Sequence, residues 1–129
     1  MSEKTKILKM LKSKNKSHSN RAAELVIYSH QKFPIDVIID ILIAKHDYGL
    51  GAKTIGVLKS RVGEVSVVDI QELMESKTRR LRHYGYELAC VKSDQKLFNY
   101  GSLYTKDNEE GVRGYAINAL KLIGGTLRD

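Results

Sequence analysis

The sequence predicts a mainly α-helical chain with a small β-hairpin, an N-terminal helical extension and a C-terminal helix. Three observations lead there. Apolar residues recur at helical spacing from Ile7 to Tyr84, two stretches of strand composition follow Gly85, and helical spacing returns between Gly111 and Leu122.

Each element has its own local reason. Residues 4–14 place Ile7, Leu8 and Leu11 on one side of a helix, with Met10 adjoining and lysines on the other side. Residues 13–20 hold no apolar side chain and read as a linker. Asn20 is a good N-cap for a helix running to about His30, which buries Ala23, Leu25, Val26 and Tyr28. Phe33-Pro34 marks the next boundary, because proline suits a first helical turn. From Pro34 to Lys45, Ile35, Val37, Ile38, Ile39, Ile41, Leu42 and Ile43 nearly encircle the axis, so this helix belongs in a core or a dimer interface. Gly49-Leu50-Gly51 ends it. The next helix begins near Ala52, turns Ile55, Val57 and Leu58 inward, and closes at Gly63. Val65-Ser66-Val67 reads as an edge strand. Ser66 or Asp69 caps a short helix carrying Ile70, Leu73 and Met74. Ser76 caps another from Lys77 to Tyr84, with Leu81 and Tyr84 inward and Gly85 as C-cap. Tyr86–Val91 and Leu97–Tyr104 read as strands joined by the turn Lys92–Lys96, with Gly101 as a bend. The tail from Gly111 to Leu122 offers a last helix. These elements group into residues 1–50, 51–105 and 106–129.

Composition narrows the function. The 129 residues carry 22 Lys and Arg against 15 Asp and Glu, a formal charge of +7. Residues 1–21 hold seven basic side chains against Glu3, and residues 77–96 hold six against Glu87 and Asp94. The stretch between them is net acidic, with eight carboxylates against five basic groups. Two basic blocks around an acidic middle look like a footprint for a polyanion. One cysteine, Cys90, excludes an internal disulfide framework, and no apolar run approaches the roughly 18 residues of a membrane span. A soluble protein of a reduced compartment is expected, cytoplasmic or nucleoid-associated. No carboxylate cluster for a metal is visible, so neither an enzyme nor a cofactor is expected. Gly49-Leu-Gly-Ala-Lys-Thr54 has the flavour of a phosphate loop, but alanine separates Gly51 from Lys53 and a helix precedes it. A better reading is a second helix-turn-helix, with Ile38–Lys45 and Ala52–Arg61 around the turn Asp47–Gly51, or a plain connection between two helices.

The order over residues 52–104 is helix, short strand, helix, helix, strand, turn, strand. That is the connectivity of a winged helix-turn-helix, whose second helix enters the major groove while the hairpin lies along the flanking backbone. Lys77–Tyr84 is the recognition-helix candidate and Lys92–Lys96 the wing tip. Arginine can pair two donors with guanine, and any nearby lysine or arginine can neutralise phosphate. The expected DNA-binding residues are Ser76, Lys77, Thr78, Arg79, Arg80, Arg82, His83, Lys92, Gln95 and Lys96.

A resemblance enters at these residues. Thr78-Arg-Arg-Leu-Arg-His-Tyr-Gly-Tyr-Glu-Leu88, followed by a stretch ending in Tyr104, resembles the R-I-x-x-L-R-x-x-G-Y-x-I … Y-x-L pattern of small winged helix-turn-helix domains common in phages and mobile elements. Leu81-Arg82, Gly85-Tyr86 and Leu88 occupy matching places, whereas Lys77-Thr78 stands where an arginine and an apolar residue are usual. The likeness covers about 50 residues. It implies a DNA-binding regulator or accessory protein, and the favoured expectation is a transcriptional regulator that binds double-stranded DNA. The over-apolar helix 34–45 adds the expectation of a homodimer, which supplies a second half-site. The alternative is a mobile-element factor whose winged helix docks on a host protein.

Overall fold

The computed structural model describes residues 2–92, together with Asp94, Leu97, Gly114 and Ile117. The chain divides into two compact units, Met1–Ser60 and Arg61–Asp129.

In the first unit, Ser2 caps helix α1 (Glu3–Leu11) by accepting the Thr5 amide at 3.2 Å. Glu3 at its start and Lys9 at its end both suit the helix dipole. Helix α2 (Lys16–Tyr28) starts earlier than the linker reading allows. Asn15, not Asn20, is its cap, with Asn15 Oδ1 accepting the His18 amide at 3.3 Å. Ser19, Ala22, Ala23 and Val26 form the inner stripe of α2 and are buried. Such small side chains let α2 and α3 (Ile35–Lys45) approach closely, and Lys45 Nζ donates to Ser19 Oγ at 2.8 Å across them.

Pro34 precedes α3 in extended backbone, and Ile38, Ile39, Ile41 and Leu42 are buried along it. Its apolar surround is not fully covered, since Ile43 is 46% exposed. A 3-10 turn at His46–Tyr48 leads to Gly49, whose φ of 89° is a left-handed conformation that glycine adopts without a Cβ penalty. Helix α4 (Gly51–Ser60) follows and buries Thr54, Ile55 and Leu58. On the outside, the Tyr48 hydroxyl donates to Glu24 Oε1 at 3.1 Å. That hydrogen bond raises the Tyr48 pKa, and the like charge of the carboxylate adds to the effect.

The second unit opens with Arg61 and Glu64 paired through two hydrogen bonds, at 2.8 and 2.9 Å, across a 3-10 turn. Ser66 Oγ accepts the Asp69 amide at 3.1 Å and caps α5 (Val67–Met74), which turns Ile70, Leu73 and Met74 inward. The turn Glu75–Thr78 connects to α6 (Arg79–Lys92), a helix of 14 residues.

Here the expected fold is corrected. Among the described residues there is no β-strand and therefore no wing. Val67 begins α5 instead of lying in an edge strand, and Tyr86–Val91 continue α6 instead of forming the first strand of a hairpin. Leu81, Gly85, Leu88 and Ala89 fall at i, i+4, i+7 and i+8 and are all buried, the period of a helix packed on one side. Gly85 is thus a packing residue in mid-helix and not a C-cap. The second expected strand lies outside the described residues apart from Leu97, which is helical and buried. The expected C-terminal helix lies outside them too, apart from Gly114 and Ile117, both helical. No described helix is long and apolar enough to cross a membrane.

Candidate nucleic-acid interface

The pair α5 and α6, joined by the four residues Glu75–Thr78, has the short connection of a helix-turn-helix. Two side chains hold the turn. Ser76 Oγ accepts the Thr78 amide at 3.1 Å. Arg82 folds back from the first turn of α6, and its Nη1 donates to the carbonyls of Ser76 and Lys77 at 3.1 and 3.2 Å. Behind the turn, Gly85 brings α6 against the end of α5. A Cβ at this position would lie 2.8 Å from the Met74 backbone nitrogen and 3.0 Å from Leu73 Cβ.

This frame presents the N-terminal end of α6. Lys77, Thr78, Arg79 and Arg80 are exposed there. His83 and Tyr84 are half-buried one turn further on, with ring centroids 6.4 Å apart in an edge-to-face arrangement. No acidic side chain occupies the first turn of α6. The helix dipole favours anions at that end, so the basic groups are placed against the helix's own preference by about 0.3–1 kcal/mol each. What they create instead is a concentrated positive potential, open to solvent, suited to phosphates and to the electronegative edge of guanine.

The expected residues therefore separate by position. Lys77, Thr78, Arg79, Arg80 and His83 come together around the start of α6. Ser76 and Arg82 hold the turn, so their roles in this geometry are positional. Lys92 lies at the far end of α6, about 20 Å from Arg79 at 1.5 Å per residue. Its Nζ donates to the Val62 carbonyl at 3.3 Å. Gln95 and Lys96 lie outside the described residues.

Two further features sit on the first unit, where the sequence carries only part of the signal. Lys6, Lys9, Met10, Ser13 and His18 line an open cleft of about 620 Å³. The lysines are visible in the sequence as a charge block, but His18 falls in the stretch that reads as a linker. Leu8, Leu11, Val37, Asp40, Ile41 and Ala44 line a groove of about 400 Å³ between α1 and α3, with Lys12 and Lys45 at its edges. Among the described residues no group of three or more His, Cys, Asp or Glu side chains is placed to hold a metal ion. No model of a known protein family, no curated protein and no solved structure matches the chain.

Proposed function

We propose that the protein is a regulator that binds double-stranded DNA through α5 and α6, with the N-terminal half of α6 in the major groove. The observation that carries this reading is the cluster Lys77, Arg79 and Arg80 on the open end of a helix whose turn is held by Arg82 and whose packing is set by Gly85. Recognition helices contact base edges with their N-terminal residues, which is where α6 carries its basic and hydrogen-bonding groups. No wing enters this reading. The first strand of the expected hairpin, Tyr86–Val91, is replaced by the second half of α6, and backbone contacts fall to Lys77, Thr78 and whichever arginine does not reach a base. Selection from a library of randomised duplexes tests the proposal. An enriched motif supports sequence reading by this protein, and a bound pool with no enriched motif overturns it.

Self-association fits the same reading, and the groove between α1 and α3 supports it. Val37, Ile41 and Ala44 line that groove, and Ala44 is exposed in it. A second copy would bring a second α6, and readers of this class gain specificity from a second half-site.

A further inference from the structure

The cleft on the first unit lies away from α6 in sequence and has its own chemistry. Lys6, Lys9 and Ser13 follow one another at i, i+3 and i+7 along the outer side of α1 and the turn after it. The chain reverses between Lys12 and Asn15, so that His18, in the first turn of α2, faces the same space over Met10. Lys4, Lys12, Lys14 and Lys16 are exposed on the same two elements and the turn between them.

These charges are not matched internally. Among the described residues, Lys6, Lys9, Lys12, Lys14 and Lys16 form no ion pair, although Arg21 on the same helix α2 pairs with Glu24 at 3.2 Å. The dipole of α1 accounts for Lys9 in its last turn. It does not account for Lys6, nor for Lys14 and Lys16, which stand at the positive end of α2. Lysine is a compact charge on a flexible stem and grips phosphate without a fork to read a base. A run of such groups along α1, the reversal and the start of α2 exceeds what a single small anion takes up. An anionic membrane would require Ile7, Leu8 and Leu11 to point outward with the lysines flanking them, yet all three are half-buried.

We infer that this cleft and its flanking lysines bind the phosphodiester backbone of double-stranded nucleic acid without regard to base sequence. The site is separate from the contact proposed for α6 and does not rest on it.

The test is fluorescence anisotropy of the full chain on a labelled duplex of random sequence, titrated between about 50 and 200 mM salt. The Lys6→Gln/Lys9→Gln variant should bind more weakly. Its slope of log affinity against log salt should be shallower by about 2, at roughly 0.9 for each phosphate that is no longer neutralised. Lys6→Arg/Lys9→Arg should keep the wild-type slope, which separates removal of charge from damage to the fold. Lys32→Gln, on the same unit but outside the cleft, should leave the slope unchanged. Wild-type affinity and slope in the glutamine variant would overturn the inference, as would an equal weakening in Lys32→Gln. Binding to phosphatidylserine vesicles with none to the duplex would also overturn it. Weakened random-duplex binding only in Arg79→Ala/Arg80→Ala would overturn this site while leaving the α6 reading intact.

Discussion

Gly85 shows how one missing side chain sets an interface. A mid-helix glycine costs about 0.5–1 kcal/mol relative to alanine, so Gly85→Ala would stabilise an isolated α6. In the folded unit the added methyl meets the Met74 backbone nitrogen at 2.8 Å, and backbone cannot swing aside as a flexible side chain can. Overpacking of this kind costs about 1–3 kcal/mol, which outweighs the gain in helix propensity. Gly85→Ala should therefore lower stability by about 1–2 kcal/mol in urea unfolding. A higher midpoint would mean that α5 and α6 do not cross at this residue. The same glycine explains why a wing is expected from the sequence and absent from the described fold. By local rules a glycine after Lys77–Tyr84 ends the helix, and the tyrosine, cysteine and valine beyond it suit a strand. Only the tertiary contact with α5 shows that Gly85 continues one helix. The buried stripe Leu81, Gly85, Leu88, Ala89 is present in the sequence, but it crosses the point where local rules stop a helix.

Legibility varies among the elements with the strength of their end signals. Helix α3 ends at Lys45 as local chemistry indicates and starts one residue after Pro34, which is its cap and not its first turn, and of the two caps offered for α5 Ser66 serves. The start of α2 is hidden, because its first turn, Lys16-Ser-His-Ser, has no apolar residue to mark a period. Its inner contact there is Ser19, buried because a small residue lets α3 come close and because Lys45 supplies a hydrogen bond. The choice of cap is testable. Asn15→Ala removes the acceptor for the His18 amide and should cost about 1 kcal/mol in thermal unfolding. Asn20→Ala, within α2, should stay within about 0.5 kcal/mol of wild type. The reverse ranking would place the helix start at Asn20. Of the candidate interface, the part carried by sequence-local helix spacing is legible, namely Lys77, Arg79, Arg80 and His83 around the start of α6. The role of Arg82 is not, because a side chain returning to the carbonyls of its own turn leaves no periodic trace.

At the scale of the whole molecule, the two basic blocks fall in different units, Lys4–Arg21 in the first and the group at the start of α6 in the second. Self-association through α3 belongs to this scale as well. Ile39 is 7% exposed, so replacing it would damage the core of the unit, whereas Ala44 is exposed and lines the groove between α1 and α3. Ala44→Glu should shift a concentration-dependent dimer toward monomer in sedimentation equilibrium without loss of helicity. A wild-type monomer at every concentration would remove α3 as an interface and leave it as the strut of a monomeric unit.

The proposal that α6 reads DNA stands or falls on Arg80, exposed at the start of that helix. The measurement is the affinity of Arg80→Ala for the duplex selected by the wild type, and for every single base-pair change in that duplex. A bidentate arginine–guanine contact predicts a loss of about 1–3 kcal/mol on the parent duplex, with discrimination relaxed at one base pair and retained elsewhere. Wild-type affinity and an unaltered discrimination pattern, in a variant whose circular dichroism matches the parent, would contradict it.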